Sequence, residues 1–131
     1  MIGLDTNVLV RYFAQDDPLQ NPQAQALIDS LTKDEPGWVS VTTIVELVWV
    51  VTQRLKRDRQ TMTDILNHLL SREEIAVEQL ELMERALQRY IKGNADFADC
   101  LIAVSASAAG CSRTVTFDRI AARDAGMELI V

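Results

Sequence analysis

The sequence has few of the residues that build disulfide scaffolds and zinc sites. Its 131 residues include two cysteines, one histidine, three prolines and five glycines. Two cysteines are too few for a disulfide framework, and we expect Cys100 and Cys111 to be buried as small apolar residues. A single histidine, His68, without a Cys-x-x-Cys pair argues against zinc. The apolar content of 48% argues against intrinsic disorder.

The chain also lacks a long hydrophobic run. Its most apolar stretch, Thr43 to Val51, is too short to span a bilayer and contains Glu46. Met1 is followed at once by a strand-like run, without the pattern of a signal peptide. We therefore expect a soluble, cytoplasmic protein with no membrane association. The length indicates one domain over residues 1–131.

Short apolar runs alternate with helical patterns along the chain. The predicted strands are Ile2–Leu4, Trp38–Val41, Ile75–Val77, Thr114–Phe117 and Glu128–Val131. The predicted helices are Asn7–Ala14, Pro22–Leu31, Thr42 or Thr43 to Leu55, Thr61–Ser71, Gln79–Ile91, Phe97–Ala109 and Arg119–Ala125. This alternation predicts an α/β fold, with a parallel sheet covered by helices on both faces. In such a sheet the carboxyl ends of the strands lie along one edge, where ligands bind.

Acidic residues stand where these strands end or where the following helices begin. They are Asp5, Glu46 in the first turn of its helix, Asp96, Asp99 and Asp118. Each also has a simpler interpretation. The aspartates can cap or charge helix N-termini, and Thr43-x-x-Glu46 fits a capping box.

Convergence of these carboxylates on one edge would call for a cation. Clustered carboxylates repel one another, which raises their pKa values and costs stability. A helix N-terminus offers only about half a charge. Because the donors are oxygen atoms, Mg²⁺ or Mn²⁺ is the expected cofactor, with one or two ions. A hydrated ion of this kind suits phosphodiester hydrolysis.

Polar neighbours of the acids have two interpretations. Thr6, Asn7 and Thr116 can hold water of the metal's hydration shell, or they can satisfy backbone groups at the strand ends. Arg11 lies one helical turn beyond Asn7 and can meet a phosphate or form a surface ion pair.

Basic residues are clustered, although the net charge of −6 by itself argues against wrapping nucleic acid. Most of the thirteen are arginines, which bind phosphate bidentately. A solvated helix face is the simpler interpretation for any one of them. The clusters are Arg54, Lys56, Arg57 and Arg59, then Arg85, Arg89 and Lys92, then Arg113, Arg119 and Arg123.

Four motifs in order resemble the PIN-domain nucleases. They are Asp5-Thr6-Asn7, a Thr-x-x-Glu ending at Glu46, the block Asp96-Phe97-Ala98-Asp99-Cys100-Leu101-Ile102-Ala103, and Thr116-Phe117-Asp118. The length and the extent of the likeness resemble the VapC-type toxins of bacterial toxin–antitoxin pairs.

The resemblance implies a three-layer α/β/α sandwich with a small central parallel sheet and a metal-dependent endoribonuclease activity. By motif, the family's acids correspond to Asp5, Glu46, Asp99 and Asp118. Asp96 accompanies them and is expected to support the site without contacting the metal directly. The resemblance also implies an RNA substrate, a cognate antitoxin and a homodimer.

Three alternatives stay open. A phosphoacceptor receiver domain is also α/β, but it needs paired acids on the first strand and a late lysine, and no lysine follows Lys92. A catalytically silent PIN-like domain could bind RNA or a protein partner. The same nuclease chemistry could act in RNA processing or on DNA.

Overall fold

The computed structural model describes every residue from Met1 to Val131 and divides into two compact units, Met1–Glu78 and Gln79–Val131. The first unit contains β1 (Ile2–Gly3), α1 (Thr6–Ala14), α2 (Gln20–Ser30), β2 (Gly37–Val39), α3 (Val41–Trp49), a π-helical segment (Val50–Arg54), α4 (Arg59–Ser71) and β3 (Ile75–Val77). The second contains α5 (Leu80–Lys92), α6 (Phe97–Ala108), β4 (Val115–Thr116), α7 (Arg119–Asp124) and β5 (Glu128–Leu129). Every predicted strand and helix is present.

All strand pairs are parallel, as the alternation of strands and helices predicts. The first unit has a three-stranded sheet in the order β1-β2-β3, and the second has a two-stranded sheet of β4 and β5. The strands therefore form two sheets, whereas the sequence predicted one. Gly37 in β2 allows close packing, because a Cβ there would lie 2.7 Å from Cδ1 of Leu4.

The core of the first unit is built from the apolar faces of its helices. Helix α1 packs against α2 and α3, and Leu9 is fully buried between its neighbours. Helix α4 packs against β3 and buries Met62, Leu66 and Leu69, which are spaced along one helical face. No helix of the protein combines the length and the apolar character that crossing a bilayer requires.

The core of the second unit forms mainly between α5 and α6. Helix α5 buries Met83, Ala86, Leu87 and Tyr90, a spacing that places them on one face. The ring of Tyr90 meets that of Phe97 edge to face, with centroids 5.9 Å apart. Helix α7 packs on α5 and α6 and on both strands of the sheet.

The start of α3 differs from the prediction in a way that matters for Glu46. Ser40 is the N-cap, and its Oγ accepts a hydrogen bond of 3.1 Å from the backbone N–H of Thr43. Val41 is therefore the first helical residue and not the last of a strand. The predicted capping box is wrong, because Glu46 lies in the second turn, too far along to return to the cap.

Cysteine burial was predicted correctly at only one of two positions. Cys100 is buried on α6, whereas Cys111 is exposed. The reason is that α6 ends at Ala108, so Cys111 lies in the turn beyond the helix and not on its buried face. His68 lies on α4 at the edge of the core, where its ring meets Tyr12 and Phe13 of α1.

Candidate metal centre

The first unit carries one group of predicted site residues, around the start of α1. Asp5 occupies the N-cap position after β1, yet its side chain makes no capping hydrogen bond. Thr6 is the first residue of the helix and is only 6% exposed. Its Oγ1 donates a hydrogen bond of 3.1 Å to Oε1 of Glu46 on α3. This hydrogen bond joins two residues that lie 40 positions apart in the sequence.

Asn7 and Arg11 lie on the outer side of α1. Both line an open cavity of about 270 Å³ with residues of α2, among them Gln20. The Arg11 Nε donates to Gln20 Oε1 at 2.7 Å, and the guanidinium lies 3.8 Å from Asp16 and 3.9 Å from Asp17. Arg11 therefore has the surface ion pairs that were one of its two interpretations.

The second unit carries the other group of acids, at the N-termini of α6 and α7. Asp96 is the N-cap residue of α6, but its carboxylate accepts no capping hydrogen bond, and Asp99 lies in the first turn of the same helix. Asp118 is the N-cap of α7, and its Oδ1 accepts from the N–H groups of Ile120 and Ala121 at 2.8 and 2.9 Å.

Only one of the three predicted aspartate caps is therefore a side-chain cap. Asp118 caps through a single oxygen, and its Oδ2 accepts no hydrogen bond. Thr116 fixes the backbone here, because its Oγ1 accepts from the N–H of Asp118 at 3.0 Å. Asp5 and Asp96 leave both carboxylate oxygens available, so helix capping does not explain their side chains.

The electrostatics of the second group are unfavourable without a cation. Burial raises the pKa of the Asp99 carboxyl, and the negative charges of Asp96 and Asp118 raise it further. Asp99 is thus partly removed from water and faces like charges from two elements of its own unit. A positive ion bound beside Asp99 would relieve both penalties.

The donor chemistry of both groups fits Mg²⁺ or Mn²⁺. The side chains offer carboxylate oxygens, supported by the hydroxyls of Thr6 and Thr116, and hard divalent cations prefer oxygen donors. No set of three or more His, Cys, Asp or Glu side chains is arranged as a complete metal site. A Mg²⁺ ion characteristically binds one or two carboxylates and keeps several waters. Its binding therefore does not require three protein ligands.

Two features of the site escaped the sequence reasoning. Ser40 directly precedes the helical pattern and is a good N-cap residue, so it was a readable signal that Glu46 is not needed for capping. The pairing of Thr6 with Glu46 had no signal in the sequence, because it depends on how α1 meets α3.

Comparison with known proteins identifies the family of the chain. The PIN domain family matches residues 2–126, a range that takes in residues of both units. The VapC ribonuclease of Aquifex aeolicus (strain VF5) is 28% identical over 116 residues, covering 88% of this chain and 86% of that protein. The predicted α/β fold class and the likeness to PIN-domain and VapC-type proteins are thereby confirmed. The chain belongs to the PIN-domain family.

Proposed function

We propose that this protein is a metal-dependent endoribonuclease and the toxin component of a toxin–antitoxin pair. The observation that carries the proposal is the grouping of Asp96 and Asp99 at the start of α6 with Asp118 at the start of α7, where their charges and burial raise the pKa of the half-buried Asp99 carboxyl. Such repulsion costs stability when no cation is present, and a bound divalent cation would offset it. The VapC ribonuclease to which the chain is similar supports RNA as the substrate.

The proposed carboxylates of the metal centre are Asp5, Glu46, Asp99 and Asp118. Four neighbouring residues support these carboxylates, by holding water of the metal's hydration shell or by orienting the acids: Asp96, Thr6, Asn7 and Thr116. A bound Mg²⁺ or Mn²⁺ would polarise a phosphate oxygen, lower the pKa of an attacking water and stabilise the leaving oxygen.

The protein's own contribution is to hold the acids in place. The Thr6 hydroxyl donates to Oε1 of Glu46 and so restricts the rotation of a long, exposed side chain. The N–H groups of Ile120 and Ala121 hold Oδ1 of Asp118, which leaves Oδ2 to face a cation. Oriented ligands bind a metal more tightly because less side-chain entropy is lost on binding.

The partners follow from the same proposal. The substrate is RNA, a cognate antitoxin protein holds the enzyme inactive, and the active form is a homodimer in the cytoplasm. An acidic site of this kind is matched by an antitoxin that inserts a basic side chain among the carboxylates.

The experiment compares RNA cleavage with and without metal. Purified protein is incubated with a structured RNA in Mg²⁺ or Mn²⁺, and cleavage is followed on a denaturing gel before and after EDTA. We expect cleavage to depend on the metal and to disappear in Asp5→Ala, Glu46→Gln and Asp99→Asn. A DNA of the same sequence, tested in parallel, is expected to stay intact.

Matched controls remove a carboxylate elsewhere. Asp34→Asn and Glu73→Gln change exposed acids whose side chains make no hydrogen bond or ion pair, and both are expected to cleave like the wild type. Cleavage that survives EDTA, or that persists in Asp5→Ala and Asp99→Asn, would refute the assignment. Preferential cleavage of DNA would refute the substrate.

A further inference from the structure

A basic loop follows the helix that carries Glu46. Its residues are Arg54 at the end of the π-helical segment, then Leu55, Lys56 and Arg57. The three basic side chains are exposed and take part in no ion pair or side-chain hydrogen bond. A concentration of unpaired positive charge stands out in a chain whose net charge is −6. We call residues 54–57 the basic loop.

The backbone of the basic loop is held in a fixed shape. The N–H of Leu55 donates to the Val50 carbonyl at 2.9 Å, and that of Arg57 donates to the Val51 carbonyl at 3.0 Å. Between them Lys56 adopts a left-handed conformation with φ of 54°, which is unfavourable for a residue with a side chain. The loop therefore displays its charges from a preformed and locally strained backbone, a feature often found at functional sites.

Neighbouring groups do not neutralise the basic loop. The adjacent acid, Asp58, is engaged as the N-cap of α4, where its Oδ1 accepts from the N–H of Thr61 at 2.8 Å. The dipole of the preceding helix favours a cation at its C-terminus and so accounts for Arg54. It does not account for two more cations beyond the helix end. Arg57 also lines a small apolar cavity with Leu55, which gives the stem of its side chain a surface to lie on.

We propose that the basic loop binds the phosphate backbone of the RNA substrate, away from the bond that is cut. The proposal rests on the function proposed above. Arg54 and Arg57 offer planar forks that match phosphate, and Lys56 adds a point charge. Arg54 lies beyond Glu46, at the far end of the helical stretch that α3 and the π-helical segment form. The basic loop thus contacts phosphates beyond those at the metal.

Binding at this distance has a kinetic consequence. A contact made equally in the ground state and the transition state strengthens substrate binding without changing the chemical step. Removing a charge from the basic loop should therefore raise KM, whereas removing a carboxylate of the metal centre should lower kcat. This difference separates the basic loop from the residues of the metal centre.

The salt dependence of RNA binding tests the proposal directly. We would measure the affinity of a fluorescent single-stranded RNA for the Asp99→Asn protein in Mg²⁺, which binds without cutting, from about 50 to 200 mM salt. Each phosphate contact on a single strand contributes about 0.7 to the slope of log K against log salt, or about 2.6-fold in affinity over that range. We expect the slope to become shallower by about 0.7 in each of the variants Arg54→Gln, Lys56→Asn and Arg57→Gln. In the triple variant, the affinity for RNA should fall about 18-fold less between about 50 and 200 mM salt than it does in the wild type.

Matched substitutions remove one positive charge elsewhere on exposed positions. Lys33→Asn and Arg85→Gln are expected to leave the slope unchanged. Asparagine at position 56 tolerates the left-handed backbone, so loss of folding should not confuse the result, and thermal melts check this.

The outcomes are distinguishable from those for the nuclease itself. An unchanged slope in the three loop variants, with wild-type protein that cleaves RNA, would overturn the proposal for the basic loop and leave the nuclease standing. Wild-type protein that cleaves nothing would remove the nuclease, while the binding assay would still report on the loop. Loss of binding to an acidic segment of an antitoxin, with RNA binding intact, would assign the loop to a protein partner and refute the proposal.

Discussion

Asp118 is predicted to have two separable roles, one structural and one catalytic. Its Oδ1 caps α7 through the N–H groups of Ile120 and Ala121, whereas its Oδ2 makes no hydrogen bond and is proposed to face the metal. Asp118→Asn keeps an oxygen acceptor for the cap but removes the negative charge. Asp118→Ser likewise keeps a capping group, and Asp118→Ala removes both functions.

The expected magnitudes differ between the two roles. Loss of an N-cap costs about 1 kcal/mol, which for a chain of this size corresponds to a fall in Tm of about 3–5 °C. Only Asp118→Ala should show this fall. In metal-free protein all three substitutions remove one of the charges that repel Asp99, so Asp118→Asn and Asp118→Ser should melt at or above the wild-type Tm, and Asp118→Ala should melt below both of them. All three should lose more than about 100-fold in RNA cleavage, beyond the effect of a residue that only orients a ligand.

The assay pairs thermal melts by circular dichroism in EDTA with cleavage rates in Mg²⁺. The reasoning on the cap fails if Asp118→Asn melts as low as Asp118→Ala. The reasoning on the metal fails if Asp118→Asn or Asp118→Ser cleaves RNA at the wild-type rate.

Three further predictions concern single side chains. Thr6→Val removes the hydroxyl that donates to Glu46 and should cost about 1 kcal/mol, measured by urea unfolding, together with part of the cleavage rate, whereas Thr6→Ser keeps both. Because the pKa of Asp99 is raised in the folded state, its ionised form destabilises metal-free protein at neutral pH and this penalty disappears as the pH falls toward 3.8. Asp99→Asn should therefore be more stable than the wild type at pH of about 7, and the difference should vanish in acid. Burial and the Arg72 charge lower the pKa of His68, so stability present above pH of about 6.5 should be lost on acidification, and less of it in His68→Gln.

The order of strands and helices was predictable because it depends on local patterns. The buried face of α5 is visible in the spacing of Met83, Leu87 and Tyr90, and the structure confirms it. Boundaries were less predictable where a side chain outside the pattern decides them. Helix α2 begins at Gln20 and not at Pro22, because Oδ1 of Asp17 accepts from the N–H groups of Leu19 and Gln20.

The positions of the proposed site residues on the helices were predictable, but their contacts were not. The sequence placed Asp5, Asp96 and Asp118 at helix starts, and each does occupy an N-cap position. Which of them actually caps with its side chain depends on rotamers, and only Asp118 does so. The charge of Asp96 beside Asp99 is local, because both lie at the start of α6, whereas the charge of Asp118 depends on how α6 and α7 pack, which no local pattern encodes.

The division of the strands into two sheets was also beyond the sequence. The strands contain only two or three residues each, so their pairing depends on tertiary packing more than on strand length or composition. The single domain over residues 1–131 stays a prediction. The structure divides into the compact units Met1–Glu78 and Gln79–Val131.

A crystal grown with Mn²⁺ tests the central claim most directly, because anomalous scattering locates the ion without assumptions about activity. The account predicts Mn²⁺ coordinated by carboxylate oxygens drawn from Asp5, Glu46, Asp99 and Asp118, with water completing its shell. Mn²⁺ bound elsewhere, with Asp99 and Asp5 both free of metal at saturating concentration, would contradict it.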